Sequence, residues 1–156
     1  MFKDTKTLNL KEGTFPIKMD LILEDIDLQS IGRLKESICG DIEISIISKD
    51  LYHCIGSINT VFIDKCQSCL KDIEVRLNFS INLVIKDEDL IMDDDSNQDQ
   101  THYQDLEYFD IMLLIQEEVS LNYPNIVKCD ENCLEVEPLE KVEKNLPFKK
   151  IRDLID

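Results

Sequence analysis

Two short cysteine clips, Cys66-Gln67-Ser68-Cys69 and Cys129-Asp130-Glu131-Asn132-Cys133, constrain this chain more than any other feature. A tetrahedral thiolate site takes two sulfurs from each of two such turns, and both spacings lie in the range used for that purpose. The clips stand much further apart than the ~15–20 residues of a compact zinc ribbon. A Zn²⁺ ion shared by Cys66, Cys69, Cys129 and Cys133 is therefore expected to staple two distant parts of one fold. The plainer alternative is two unconnected pairs of half-buried thiols, since cysteine is among the most buried residue types.

The length of 156 residues, with 43% hydrophobic and 32% charged side chains, reads as a single globular domain over residues 1–156. It is large enough to bury a core without help from staples. No run approaches the ~18 apolar residues of a membrane span. The start, Met1-Phe2-Lys3-Asp4-Thr5-Lys6, lacks an apolar signal core, so a cytoplasmic location is expected. There, six cysteines are expected as thiols or metal ligands rather than disulfides. The formal net charge of −16 repels phosphate, so strong direct nucleic-acid binding is not expected and a basic protein partner fits better.

The clearest periodicity covers residues 73–85, where Ile73, Val75, Leu77, Phe79, Ile81, Leu83 and Ile85 alternate with Glu74, Arg76, Asn78, Ser80 and Asn82. That period of two describes a long antiparallel strand with one buried face. Residues 55–63 read as its hairpin partner, which places the first clip at the hairpin end. Ile42, Ile44 and Ile46 suggest another strand, as do Ile17, Met19, Leu21 and Leu23. Residues 28–37 are ambiguous, with room for a short helix ahead of Gly40. The stretch 87–109 is rich in Asp and Glu and holds no Lys or Arg, so it reads as a solvated, mobile acidic loop. Asp93-Asp94-Asp95 within it lacks the alternating ligands, Gly and closing Glu of a calcium loop. A helix then follows, capped by Asp110, with Ile111, Met112, Ile115 and Val119 on one side and Pro124 as its stop. The sum is an α+β fold: an antiparallel sheet of four to six strands with a helix in the C-terminal half.

Nothing in the chain reads as catalytic. Cys39 and Cys54 are expected in the core, and His53 beside Cys54 points to the opposite face of a strand. His102 is expected to be solvated. The four glycines, Gly13, Gly32, Gly40 and Gly56, are too dispersed for a phosphate cradle. A redox role for Cys66 and Cys69 would need a helix N-terminus or nearby cations. Here the pair joins two strands, and Lys65 is the one adjacent cation.

The parts resemble, in order, the YceD family of large ribosomal RNA subunit accumulation proteins. Cys66-Gln67-Ser68-Cys69-Leu70 is similar to the family's Cys-Gln-x-Cys-Leu segment. The helix from Phe109-Asp110-Ile111 to Leu121-Asn122-Tyr123-Pro124 resembles its acidic-capped helix ending in Leu-x-x-Pro. Cys129 and Cys133 match a Cys-x-x-x-Cys form found in some members, while others carry His and one Cys. Leu146-Pro147-Phe148-Lys149-Lys150-Ile151-Arg152-Asp153-Leu154 resembles the closing Asn-Pro-Phe-x-x-Leu-x-x-Leu, with Leu146 in place of the usual Asn. The likeness covers residues 40–156.

The resemblance implies a non-enzymatic factor in large-subunit assembly, and the family's gene often neighbours that of a small basic ribosomal protein. The expected partner is therefore a basic large-subunit ribosomal protein or a pre-ribosomal particle. Expected contacts are the acidic stretch and, as a second docking point, Pro147, Phe148, Lys149 and Lys150. The plainer reading of Phe148 and Leu154 is that they pack the tail onto the core. The competing functions are a structural zinc module with no ribosomal role and a Cys-x-x-Cys thiol redox protein.

Overall fold

The computed structural model describes residues 7–26, 28, 31–93, 100–130 and 133. Alternation decides its architecture. On β5 (Asp72–Asp87) the odd-numbered Val75, Leu77, Ile81, Leu83 and Ile85 are buried, and the even-numbered residues from Glu74 to Asn82 are exposed. β4 (Leu51–Lys65) pairs with it antiparallel in an unbroken register from Leu51↔Lys86 to Lys65↔Asp72. β3 (Arg33–Ser48) and β2 (Ile17–Leu23) continue the sheet in antiparallel sense. A fifth strand, β6 (Thr101–Gln104), completes the order β2-β3-β4-β5-β6.

Two expectations about the sheet and its approach need correction. The sheet is mixed rather than antiparallel throughout, because β6 runs parallel to β5 at the edge. Residues 28–37 hold no short helix among their described members; β3 already begins at Arg33. Within the acidic stretch 87–109, the described residues 87–93 and 100–109 carry regular elements. They contain a 3₁₀ helix (Glu88–Asp93), β6, and the first residue of β7 (Phe109–Asp110), which pairs with β1 (Thr7–Leu8). His102, Gln104, Leu106 and Phe109 supply buried positions between residues 100 and 109.

α1 (Ile111–Asn122) covers one face of the sheet. Asp110 caps it by accepting from the Met112 N–H at 2.8 Å, which satisfies one of the free amides of the first turn. Its buried residues are Ile111, Leu114, Ile115 and Val119. Met112 was expected on that face and is only half-buried, whereas Leu114 takes the place three residues after Ile111. These side chains join Phe62, Ile42, Ile44, Ile58, Ile81 and Ile85 in one core, each contributing roughly 1.5–3 kcal/mol of burial. Cys54 is fully buried as expected, and burial, with the Glu118 charge behind it, pushes its thiol up to about 12. Cys39 is exposed instead. It shares parity with Asp41 and Glu43, on the uncovered face, while Ile38, Ile42 and Ile44 point inward.

Candidate metal centre

Both clips are placed by the elements that precede them. β4 ends at Lys65, and Cys66 opens the turn back to β5. The Leu70 N–H donates to Cys66 O and the Cys66 N–H to Lys71 O, both at 2.9 Å. Closing that turn puts Leu70 at φ 60°, a left-handed conformation that leucine seldom adopts. The second clip follows α1. Its approach is fixed by Tyr123, whose hydroxyl donates to Asp64 Oδ2 at 2.5 Å and accepts from the Gly32 N–H at 3.1 Å. The Tyr123 ring meets Phe62 edge-on, with centroids 5.5 Å apart. Burial, and then the bond to Asp64, pushes the Tyr123 hydroxyl up to about 12, so it stays a neutral donor.

Glycine is required at position 32, since a Cβ there would stand 2.4 Å from Ile63 O. Beyond Pro124 the chain is laid on the first clip by Gln67. Its N–H donates to Val127 O at 2.9 Å and its side-chain amide to Asn125 O at 3.4 Å.

The result is a cluster of Cys66, Cys69, Cys129 and Cys133 whose four Sγ atoms all lie within 4.8 Å of one another. Cys66 and Cys133 approach to 3.5 Å, Cys69 and Cys129 to 3.7 Å. A disulfide needs about 2.05 Å, so these are thiols. The separations instead match the roughly 3.8 Å edge of a sulfur tetrahedron around an ion with bonds of ~2.3 Å. All four expected ligands are thus brought together, and the set fits a metal ion.

The backbone also prepares the site for negative charge. The N–H of Cys69 above all, then those of Cys129 and Ser68, hold the Cys66 thiol down at about 6 against the opposing effect of burial. The Cys129 N–H donates to Cys66 Sγ at 3.4 Å. Cys133 moves the other way: its contacts with the Cys129 and Cys66 sulfurs push it up to about 12. Four sulfurs this close cannot all ionise without a cation among them, which a bound metal ion would supply.

With this geometry in hand, the order of parts can be set against known families. The family model described as "Large ribosomal RNA subunit accumulation protein YceD" matches residues 55–151, well over half of the chain. The chain belongs to the YceD family. The match begins in β4 and takes in β5, α1 and both clips, so the sulfur cluster lies inside the YceD region. Searches of the curated proteins and of the solved structures each returned no match.

The second expected docking point of the YceD chain, Pro147, Phe148, Lys149 and Lys150, lies outside the described residues. His102, expected in solvent, is only 5% exposed. Gln104 Nε2 donates to His102 Nε2 at 2.7 Å, which leaves His102 Nδ1–H to donate to the Glu117 carboxylate. Gln104 also exchanges two bonds of 2.9 Å with the Asp110 backbone. This network ties β6 and β7 to α1. His53 bonds to Asn82 at 2.8 Å on the exposed face, while Cys54 points to the core, as adjacent strand positions require. Tyr123, Asp64, Gly32 and Gln67 position the cluster without having been singled out for that role; Gln67 and Tyr123 stood only as parts of the motif likeness. Among the described residues no helix is long and apolar enough to cross a membrane.

Proposed function

We propose that this YceD-family chain is a non-enzymatic assembly factor that supports accumulation of large-subunit ribosomal RNA in the cytoplasm. It acts through protein contacts with a basic ribosomal protein or a pre-ribosomal particle. Family membership is the observation that carries this reading. The net charge of −16 supports a basic partner over direct contact with RNA, because electrostatic attraction speeds encounter with the one and repels the other. The sulfur cluster is read as a Zn²⁺ site. A set of four protein sulfurs leaves no open position for water or substrate, which supports a structural ion over a catalytic one. In this role Zn²⁺ locks the segment after α1 onto the β4–β5 turn.

Depleting the protein in its own host and resolving ribosomal particles on a sucrose gradient tests the reading. A deficit of large subunits is expected, and an unchanged profile would refute the assembly role. One observation favours a second reading: the Cys66 thiol, held down at about 6, lies 3.5 Å from the Cys133 sulfur. A thiol redox protein would show a reversible disulfide and no metal, so thiol titration alongside metal analysis separates the two.

A further inference from the structure

Among the described residues, one side of β5 is largely unpaired. Among those residues β5 is flanked on both sides at residues 84–87 alone, where β6 runs beside it. The Val84 N–H points to the β6 side and donates to Gln100 O at 3.0 Å. Backbone groups alternate sides residue by residue along a strand, and the β4–β5 register has no break. The N–H and C=O of Glu74, Arg76, Asn78, Ser80 and Asn82 therefore face the same way as those of Val84, away from β4. Among the described residues none pairs with them.

Unpaired edges are usually blunted by proline, lysine, a bulge or short length. The opposite edge strand, β2, has such devices: it is 7 residues long, follows Pro16 and carries Lys18. The open part of β5 has none of them over residues 74–82, some 26 Å of strand at ~3.3 Å per residue. Its two charged side chains, Glu74 and Arg76, already pair with each other at 3.2 Å, and Lys35 also pairs with Glu74. The stretch is straight, in register and locally neutral, which is the form that accepts another strand.

Charge selects the occupant. A second copy would bring two chains of −16 together, whereas a Lys- and Arg-rich segment is drawn to that charge. We propose that the open edge of β5 takes up an extended Lys- and Arg-rich segment of a partner protein, which adds to the sheet as a further strand. This rests on the reading that the partner is a basic protein, and it says where and how that protein is held. Five residues with outward donors and acceptors offer about ten main-chain hydrogen bonds, independent of the partner's side-chain sequence.

The probe is a synthetic peptide of about ten alternating lysine and valine residues, titrated at low salt into the full chain. Its fully N-methylated counterpart keeps the charge and loses every backbone donor. Ser80→Pro removes one outward N–H from β5 and spares the β4 ladder, since the Ser80 amide faces away from it. The expected result is exchange protection at the amides of Arg76, Asn78, Ser80 and Asn82. Affinity should fall about tenfold or more with either the methylated peptide or Ser80→Pro. Equal binding of both peptides to both proteins would overturn the edge site and leave the basic-partner reading standing. No binding of the lysine-valine peptide would overturn both. A dimer in light scattering that Ser80→Pro abolishes would reassign the edge to a second copy and overturn the heterologous partner.

Discussion

The two ends of α1 are anchored by different chemistry. At its N-terminal end the chain packs Leu106, Phe109 and Ile111 into the core and adds the bonds among His102, Gln104, Asp110 and Glu117. Beyond Tyr123 the same chain has little to bury, and Val127 is the one buried residue described between positions 124 and 133. A segment so poor in apolar contacts cannot offset the entropy of ordering it, about 1–2 kcal/mol per residue. A cation held by the four sulfurs would supply what the core does not. The sulfur cluster thus stands where apolar packing runs out, and ordinary burial suffices at the other end.

The largest expected effect separates the ends outright. Stripping the metal with a chelator should release residues 125–133 to fast hydrogen exchange while the amides around His102 and Phe109 stay protected. Equal loss at both ends would break the comparison. Next in size is Gly32→Ala, which drives a Cβ to 2.4 Å from Ile63 O and disturbs the seat of Tyr123. A loss of about 3 kcal/mol is expected by denaturant titration, together with weaker metal retention. His102→Phe leaves the Gln104 donor without its acceptor and should cost about 2 kcal/mol with metal content unchanged. The smallest change is a gain. Leu70→Gly removes a left-handed leucine that is 68% exposed and buries little, so thermal unfolding should show about 1 kcal/mol of added stability.

What was readable beforehand follows the same division. Period-two alternation fixes β5 because each of its faces meets a single environment. Carrying the parity of Ile42 and Ile44 back to Ile38 puts Cys39 on the outer face, but the expectation of a core position for Cys39 followed the burial preference of cysteine instead. The sulfur cluster was legible because each clip is local and only the meeting of the two was unknown. The Tyr123 lock was not, since its partners Asp64 and Gly32 stand 59 and 91 residues away. His102 was hidden by its surroundings: an isolated imidazole in an acidic run gives no sign that Glu117 and Gln104 will close around it. A four-residue edge strand such as β6 is too short to carry a period, so its parallel pairing was invisible.

The account depends most on a cation among the four sulfurs, and native mass spectrometry of the purified chain with elemental analysis tests that directly. One zinc per chain is predicted, lost on serine substitution at Cys66, Cys69, Cys129 or Cys133 and kept on substitution at Cys39 or Cys54. A metal-free chain after purification under zinc, with the four thiols free or joined as disulfides, would contradict it.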